Sequence, residues 1–123
     1  VSNGNNNDAE IYMQGDNNVY SITQTGNDKE GEVRAFGDSS NFSINQSGSG
    51  EHYAKIYASN SADNNDASIA QIGSGDHYMR LNFYTDDYSV TASQSGTTNK
   101  SITATYNCVT NCTKTVVINQ FDQ

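Results

Sequence analysis

The chain has no tryptophan and no proline, only two cysteines, and six Lys and Arg residues against fourteen Asp and Glu. A net charge of −8 excludes the basic surface that phosphate binding requires, so nucleic acid is not an expected partner. Apolar residues make up 33% of the 123 positions. No run approaches the ~18 apolar residues of a membrane helix, and no membrane insertion is expected. A conventional packed core would be thin, and the length allows one domain at most. Signatures of catalysis are missing as well: there is no G-x-S-x-G elbow, no P-loop and no Ser-His-Asp pattern, so an enzyme is not expected. The opening VSNGNNND shows no cleavable leader and is expected to be either a mature secreted product, its signal peptide already gone, or a trimmed chain.

What is present is a repeat. Gln24, Gln46, Gln71, Gln94 and Gln120 recur at spacings of 22, 25, 23 and 26 residues. Their surroundings repeat too: SITQTG, SINQSG, SIAQIG, TASQSG and VINQFD. A period in this range marks stacked units, each too small to bury a core alone. A buried glutamine needs hydrogen-bond partners, and a stack of identical amides supplies them. Asn, Ser and Gly dominate the rest of the chain, a bias that usually reads as disorder. Regular apolar alternation within every repeat argues against that reading.

Period-2 alternation around each glutamine defines a first strand type. Its inward sets are Tyr20, Ile22, Gln24; Phe42, Ile44, Gln46; Ala67, Ile69, Gln71; Val90, Ala92, Gln94; and Val116, Ile118, Gln120. Gly26, Gly48, Gly73 and Gly96 follow at a fixed offset, where the chain must leave the strand at a tight corner. The segments EIYM, EVRAF, HYAKIYA, HYMRLNF and SITATY give a second strand type. Its expected inward pairs are Ile11 and Met13, Val33 and Ala35, Ile56 and Ala58, Leu81 and Phe83, and Ala104 and Tyr106. The expectation is an all-β fold of ten short strands, arranged as about five strand-turn-strand rungs over residues 9–120. Residues 1–8 are expected as a flexible lead-in and 121–123 as a tail. A sandwich of hairpins would also give short alternating strands, but it has no need for a glutamine column. A β-solenoid with cross-β assembly is therefore preferred.

At this point AEIYMQGDNNVYSITQTG and NNDASIAQIGSG resemble curlin repeats, the units of bacterial curli fibre subunits. Gly15, Asn18, Tyr20, Ile22 and Gln24 fall on the family frame of Gln-x-Gly-x-x-Asn, alternating residues, then Gln, with Met13 in the first Gln place. The resemblance spans about residues 6 to 120. It implies a secreted amyloid subunit, assembled on the surface of a Gram-negative bacterium as a fibre or biofilm matrix. It also implies dedicated secretion machinery and a nucleator subunit. Met13, Ala35, Ala58, Phe83 and Tyr106 stand where curlins often carry a second glutamine, which makes this a divergent member of the pattern.

The assembly core is thus expected at Gln24, Gln46, Gln71, Gln94 and Gln120, with Ile22, Ile44, Ile69, Ala92 and Ile118 beside them. The junction between subunits is expected at the terminal rungs, near Ile11 and Met13 at one end and Ile118 and Gln120 at the other. No capping element is recognisable at either terminus, which favours assembly over a monomeric solenoid. The competing reading is a monomeric extracellular binding module of adhesin, phage-fibre or ice-binding type.

Other constellations are weaker. Cys108 and Cys112 in NCVTNC suit a disulfide in an oxidising compartment, since two Cys without a nearby His make half a zinc site. His52 and His77 share a column, each preceded by an acid. They could pair on a transition metal, but a solvated corner is preferred because only two rungs carry them. Acidic turns at Asp28, Glu30 and Glu32, at Asp63 and Asp66, and at Asp86 and Asp87 lack any calcium-loop spacing and read as solvated surface. No cofactor is expected. Arg34, Lys55 and Arg80 read as an outward basic column, and Tyr12, Tyr53, Tyr57, Tyr78 and Tyr84 as outward aromatics.

Overall fold

The structure is a computed structural model and describes residues 1–58, 66–82, 84, 88–105 and 114–122. It contains eleven strands among these residues: β1 Ser2–Asn3, β2 Asp8–Glu10, β3 Val19–Thr25, β4 Lys29–Glu32, β5 Asn41–Ser47, β6 His52–Tyr53, β7 Asp66–Gly73, β8 His77–Leu81, β9 Tyr88–Gly96, β10 Lys100–Ala104 and β11 Lys114–Phe121. Odd-numbered strands form one parallel sheet in the order β1-β3-β5-β7-β9-β11. Even-numbered strands form a second, in the order β10-β8-β6-β4-β2. The chain crosses from one sheet to the other at each corner and pairs with itself one turn later. That is a β-solenoid of about four turns, close to the five rungs expected.

Register follows the glutamines. Ile22 lies on Ile44, Ile44 on Ile69, and Ile69 on Ala92, while Gln24, Gln46, Gln71, Gln94 and Gln120 align in sequence. In-register parallel pairing places like on like, so one alternation frame serves every rung. The core sits between the sheets. Ile22, Phe42, Ile44, Ile69, Val90 and Ala92 come from the first, Met79, Leu81 and Ile102 from the second, and Val33, Ala54 and Ile56 from the chain just beyond β4 and β6. Each large aliphatic buried here contributes roughly 1.5–3 kcal/mol. Across the interior, a Cβ on Gly31 would lie 3.1 Å from Ile22 Cγ2, so the isoleucine already fills that place.

The corners depend on glycine. Gly73 has φ +133°, and a Cβ on it would run into the carbonyl oxygen of Gly96 on the next turn. Gly48 and Gly26 repeat this geometry one and two turns away.

Three expectations change. Residues 1–8 were expected to be a flexible lead-in, but Ser2 and Asn3 form β1 on β3, and Asn6 Nδ2 donates to Asp28 Oδ1 at 3.1 Å. This accounts for the eleventh strand. The second strand type ends earlier than expected, and β2, β4 and β10 also start earlier. In β4 the cause is positive φ at Arg34 (124°) and Ala35 (28°), which ends the strand at Glu32. Val33 and Ala35 nevertheless stay buried. Third, Phe121 extends β11 and Asp122 folds back on the preceding turn, so 121–122 are not a free tail. Phe83, Tyr106, Asp63, Asp86, Asp87 and the proposed Cys108–Cys112 bridge lie outside the described residues.

Candidate assembly site: the glutamine ladder and the two open ends

The five glutamines form one polar file through the interior, beside the apolar columns. Gln24, Gln46, Gln71 and Gln94 are fully buried. Each Nε2 donates to the Oε1 of the next: Gln24 to Gln46 at 3.2 Å, Gln46 to Gln71 at 2.9 Å, Gln71 to Gln94 at 2.9 Å and Gln94 to Gln120 at 2.8 Å. The remaining amide donor reaches across to the second sheet. Gln46 Nε2 meets Glu30 O at 2.8 Å and His52 O at 3.0 Å, and Gln71 Nε2 meets Tyr53 O at 2.7 Å and His77 O at 2.9 Å. The ladder therefore ties the two sheets together as well as stacking turns.

The file has a direction. At its first member, Gln24 Oε1 accepts from Ser2 Oγ at 2.7 Å. At its last, Gln120 Nε2 donates to Ser101 O at 3.3 Å. The expected junction residues fall at these two ends but on different sheets. Ile11 (41% exposed) and Met13 (52%) follow β2 at one end, while Ile118 and Gln120 lie half-buried on β11 at the other. Phe121, at 59% exposed, adds an uncovered ring beside them.

The last corner carries a side-chain substitute for glycine stacking. Asp122 lies against Gly96 and accepts from Thr98 Oγ1, Thr97 N, Thr97 Oγ1 at 2.9 Å and Lys100 Nζ. These donors, led by the Lys100 ammonium, hold the Asp122 carboxyl far below the usual carboxylate range. Its exposed carboxylate thus satisfies corner amides that would otherwise face solvent, a device not recognised from the sequence.

A second file, of histidines, lies buried beside the first. His52 and His77 are not a solvated corner: both are 1% exposed, and their rings stack at 4.9 Å with planes 1° apart. His52 Nε2 faces Ser47 O at 3.0 Å and His77 Nε2 faces Ile72 O at 3.3 Å, so on each ring an Nε2–H donates to a carbonyl. Lys29 stacks on His52 and Lys100 on His77. Burial, with the neighbouring Lys29 charge and His77, pushes His52 below the ordinary imidazole value. Lys29 is itself buried; its Nζ donates to Asn27 O at 2.6 Å and to Gly50 O, and burial lowers its pKa. A shallow groove beside this file, about 260 Å³, is lined by Asp28, Glu30, Glu51, Tyr53, Asp76 and Tyr78 as well as the histidines. Among the described residues no group of three or more His, Cys, Asp or Glu is placed to hold a metal ion.

The basic column also needs correction. Glu32 lies two residues beyond Glu30, which pairs with Tyr53, so it meets Lys55, and Lys55 Nζ lies 2.7 Å from Glu32 Oε2. Arg34 also pairs with Glu32, and more distantly with Glu10 at 4.0 Å. The file runs Glu10, Glu32, Lys55, Arg80, with Arg34 beside it, so opposite charges meet at its middle. The aromatics do stack: Tyr53 and Tyr78 lie 4.8 Å apart with planes 4° apart, and Tyr12, Phe36, Tyr57 and Tyr84 form an edge-to-face series.

No family model, curated protein or solved structure matches the chain.

Proposed function

We propose that this chain is a secreted, self-assembling structural subunit of an extracellular curli-like fibre, one that grows by stacking the terminal rung of one copy on that of the next. The observation that carries the reading is the directional ladder. One end carries a glutamine donor and the edge of an eight-residue strand; the other carries a glutamine acceptor, held by Ser2 Oγ, on a strand of the same alternation. An unpaired parallel edge of this kind templates further pairing. Its partners would be further copies of itself, with a nucleator subunit and a secretion apparatus, and its place the cell surface or biofilm matrix. A catalytic role is no part of this reading.

A monomeric extracellular binding module is the second reading. Asp122, which closes one corner, and β1, which covers part of β3, favour it, because capped ends keep solenoids apart. Seeded growth separates the two. Ile69→Pro, mid-ladder in β7, should unfold the chain, since proline removes a donor inside a sheet. Ile118→Pro, in the last strand, should leave the inner turns intact yet add poorly to wild-type seeds. Equal elongation by wild type and the Ile118 variant would place the junction elsewhere. A wild type that never elongates would favour the monomeric module.

A further inference from the structure

The segment before β2 lies where the next subunit would have to bind. β1 pairs with only two residues of β3, Ser2 with Gln24 and Asn3 with Thr25. Beyond them, Gly4 packs against Gly26 and Asn5 N donates to Asn27 Oδ1 at 2.9 Å. The amides of Gln24, Gly26 and Asp28 donate to the carbonyls of Val1, Asn3 and Asn5. Ser2 Oγ holds the acceptor oxygen of the first ladder glutamine. Every other acceptor in the file is held by a glutamine amide.

The far end of the molecule supplies what Ser2 replaces. Carrying the strand registers through the sheet aligns Thr115 with Val19, Val116 with Tyr20, Ile118 with Ile22, Gln120 with Gln24 and Phe121 with Thr25. β11 of a second copy would thus bring apolar, apolar and glutamine onto apolar, apolar and glutamine. Gln120 Nε2 would donate to Gln24 Oε1 and extend the ladder with its direction unchanged. In the other sheet the same step seats β10 on β2, with Ile102 over Ala9 and Ala104 over the exposed Ile11. β11 overlaps the segment at Gln24 and Thr25, so both cannot occupy that edge.

We infer that residues Val1–Asn6 are a strap that competes with β11 of a second copy for the edge of β3, and that its release controls the rate of fibre growth. The inference rests on the assembly reading above. The strap pairs two residues, whereas β11 can pair seven, from Thr115 to Phe121. The incoming strand therefore wins at equilibrium, while the strap lowers the fraction of chains that can accept it. Affinity for an incoming copy falls in proportion to that fraction. Residues from Asp8 onward stay in place as β2.

Two full-length variants move the strap in opposite directions. A Cβ on Gly4, where φ is +130°, would run into the carbonyl oxygen of Gly26, so Gly4→Ala should lift the strap without touching β3 or β11. Ser2→Gln should tighten it by restoring a ladder amide. If the strap is open in about one chain in ten, Gly4→Ala elongates wild-type seeds up to ~10-fold faster and Ser2→Gln elongates them more slowly. Hydrogen exchange on the unassembled chain should show faster exchange of Gln24, Gly26 and Asp28 amides in Gly4→Ala. Filament images should show an axial rise of about 24 Å per subunit, five strands at ~4.8 Å, and not the ~29 Å of a strap retained as a sixth. Growth of Gly4→Ala at or below the wild-type rate, amides that stay protected in it, or a ~29 Å rise would each overturn the strap while leaving assembly standing. If neither wild type nor Gly4→Ala forms fibres, the assembly reading fails and the strap falls with it.

Discussion

Replacing Gln71 by Leu tests whether the ladder holds the solenoid together. The side chains are close in volume, so the change removes polarity with little cavity. Gln71 is fully buried and makes four hydrogen bonds: one accepted from Gln46 Nε2, and three donated, to Gln94 Oε1, Tyr53 O and His77 O. Gln46 Nε2 keeps two carbonyl acceptors after the change, so it remains satisfied. Gln94 Oε1 loses its donor inside an apolar stack. An orphaned buried group costs about 1–3 kcal/mol, and lost bonds with satisfied remainders cost about 1 kcal/mol each. The variant should therefore be less stable by about 3 kcal/mol, a large part of the ~5–15 kcal/mol typical of a domain. Equilibrium urea unfolding of dilute, unassembled chain gives this value directly. Because Gln94 Oε1 is the group left behind, adding Gln94→Leu should cost less than its single value, with a coupling of about 1 kcal/mol or more. If Gln71→Leu is as stable as the wild type, or the pair is strictly additive, the amide file is not what couples the turns.

Other expectations follow from the same geometry. His52 is held neutral in the folded chain, which between its lowered value and about 6.5 binds fewer protons than the unfolded chain. Stability should be full above about pH 6.5, fall as pH drops below it, and level off beneath the folded-state value. Urea midpoints should show a shallower fall for His52→Phe, and an unchanged slope would contradict the assignment. Gly73→Ala forces an L side chain into φ +133° and against the next corner, and should cost about 2 kcal/mol or more, read as a lowered thermal midpoint. A midpoint unchanged by that substitution would mean that the corners are not close-stacked.

How far the sequence could be read depended on repetition. The ladder and the apolar file beside it were legible because Gln24, Gln46, Gln71, Gln94 and Gln120 sit in one frame, so a single alternation fits all five. Ala92 fits the same column although it is smaller than its isoleucine neighbours. The second strand type was harder, because a lysine and two histidines occupy inward places in it. Stepping back by two from Ile56 leads through Ala54 to His52, and from Leu81 through Met79 to His77, so the period did carry the signal. The flanking acids and tyrosines masked it by looking like a turn. Lys29 was hidden for the same reason: a buried ammonium is acceptable only because backbone carbonyls of neighbouring corners receive it, and those are invisible in sequence. Arg34 was set in the wrong file because the register is displaced by two: Glu30 pairs with Tyr53, which brings Glu32 rather than Arg34 beside Lys55. Ser2 and Asp122 act through side chains that replace a missing neighbour, and no periodic pattern announces a substitute.

The central claim is that the chain stacks into a continuous solenoid with strands across the growth axis. X-ray diffraction from aligned fibres of the wild-type chain tests it most directly. The account predicts a meridional reflection near ~4.8 Å from strand spacing and an equatorial one near ~10 Å from the packed sheets. A chain that stays monomeric at high concentration, or fibres lacking the meridional reflection, would contradict it.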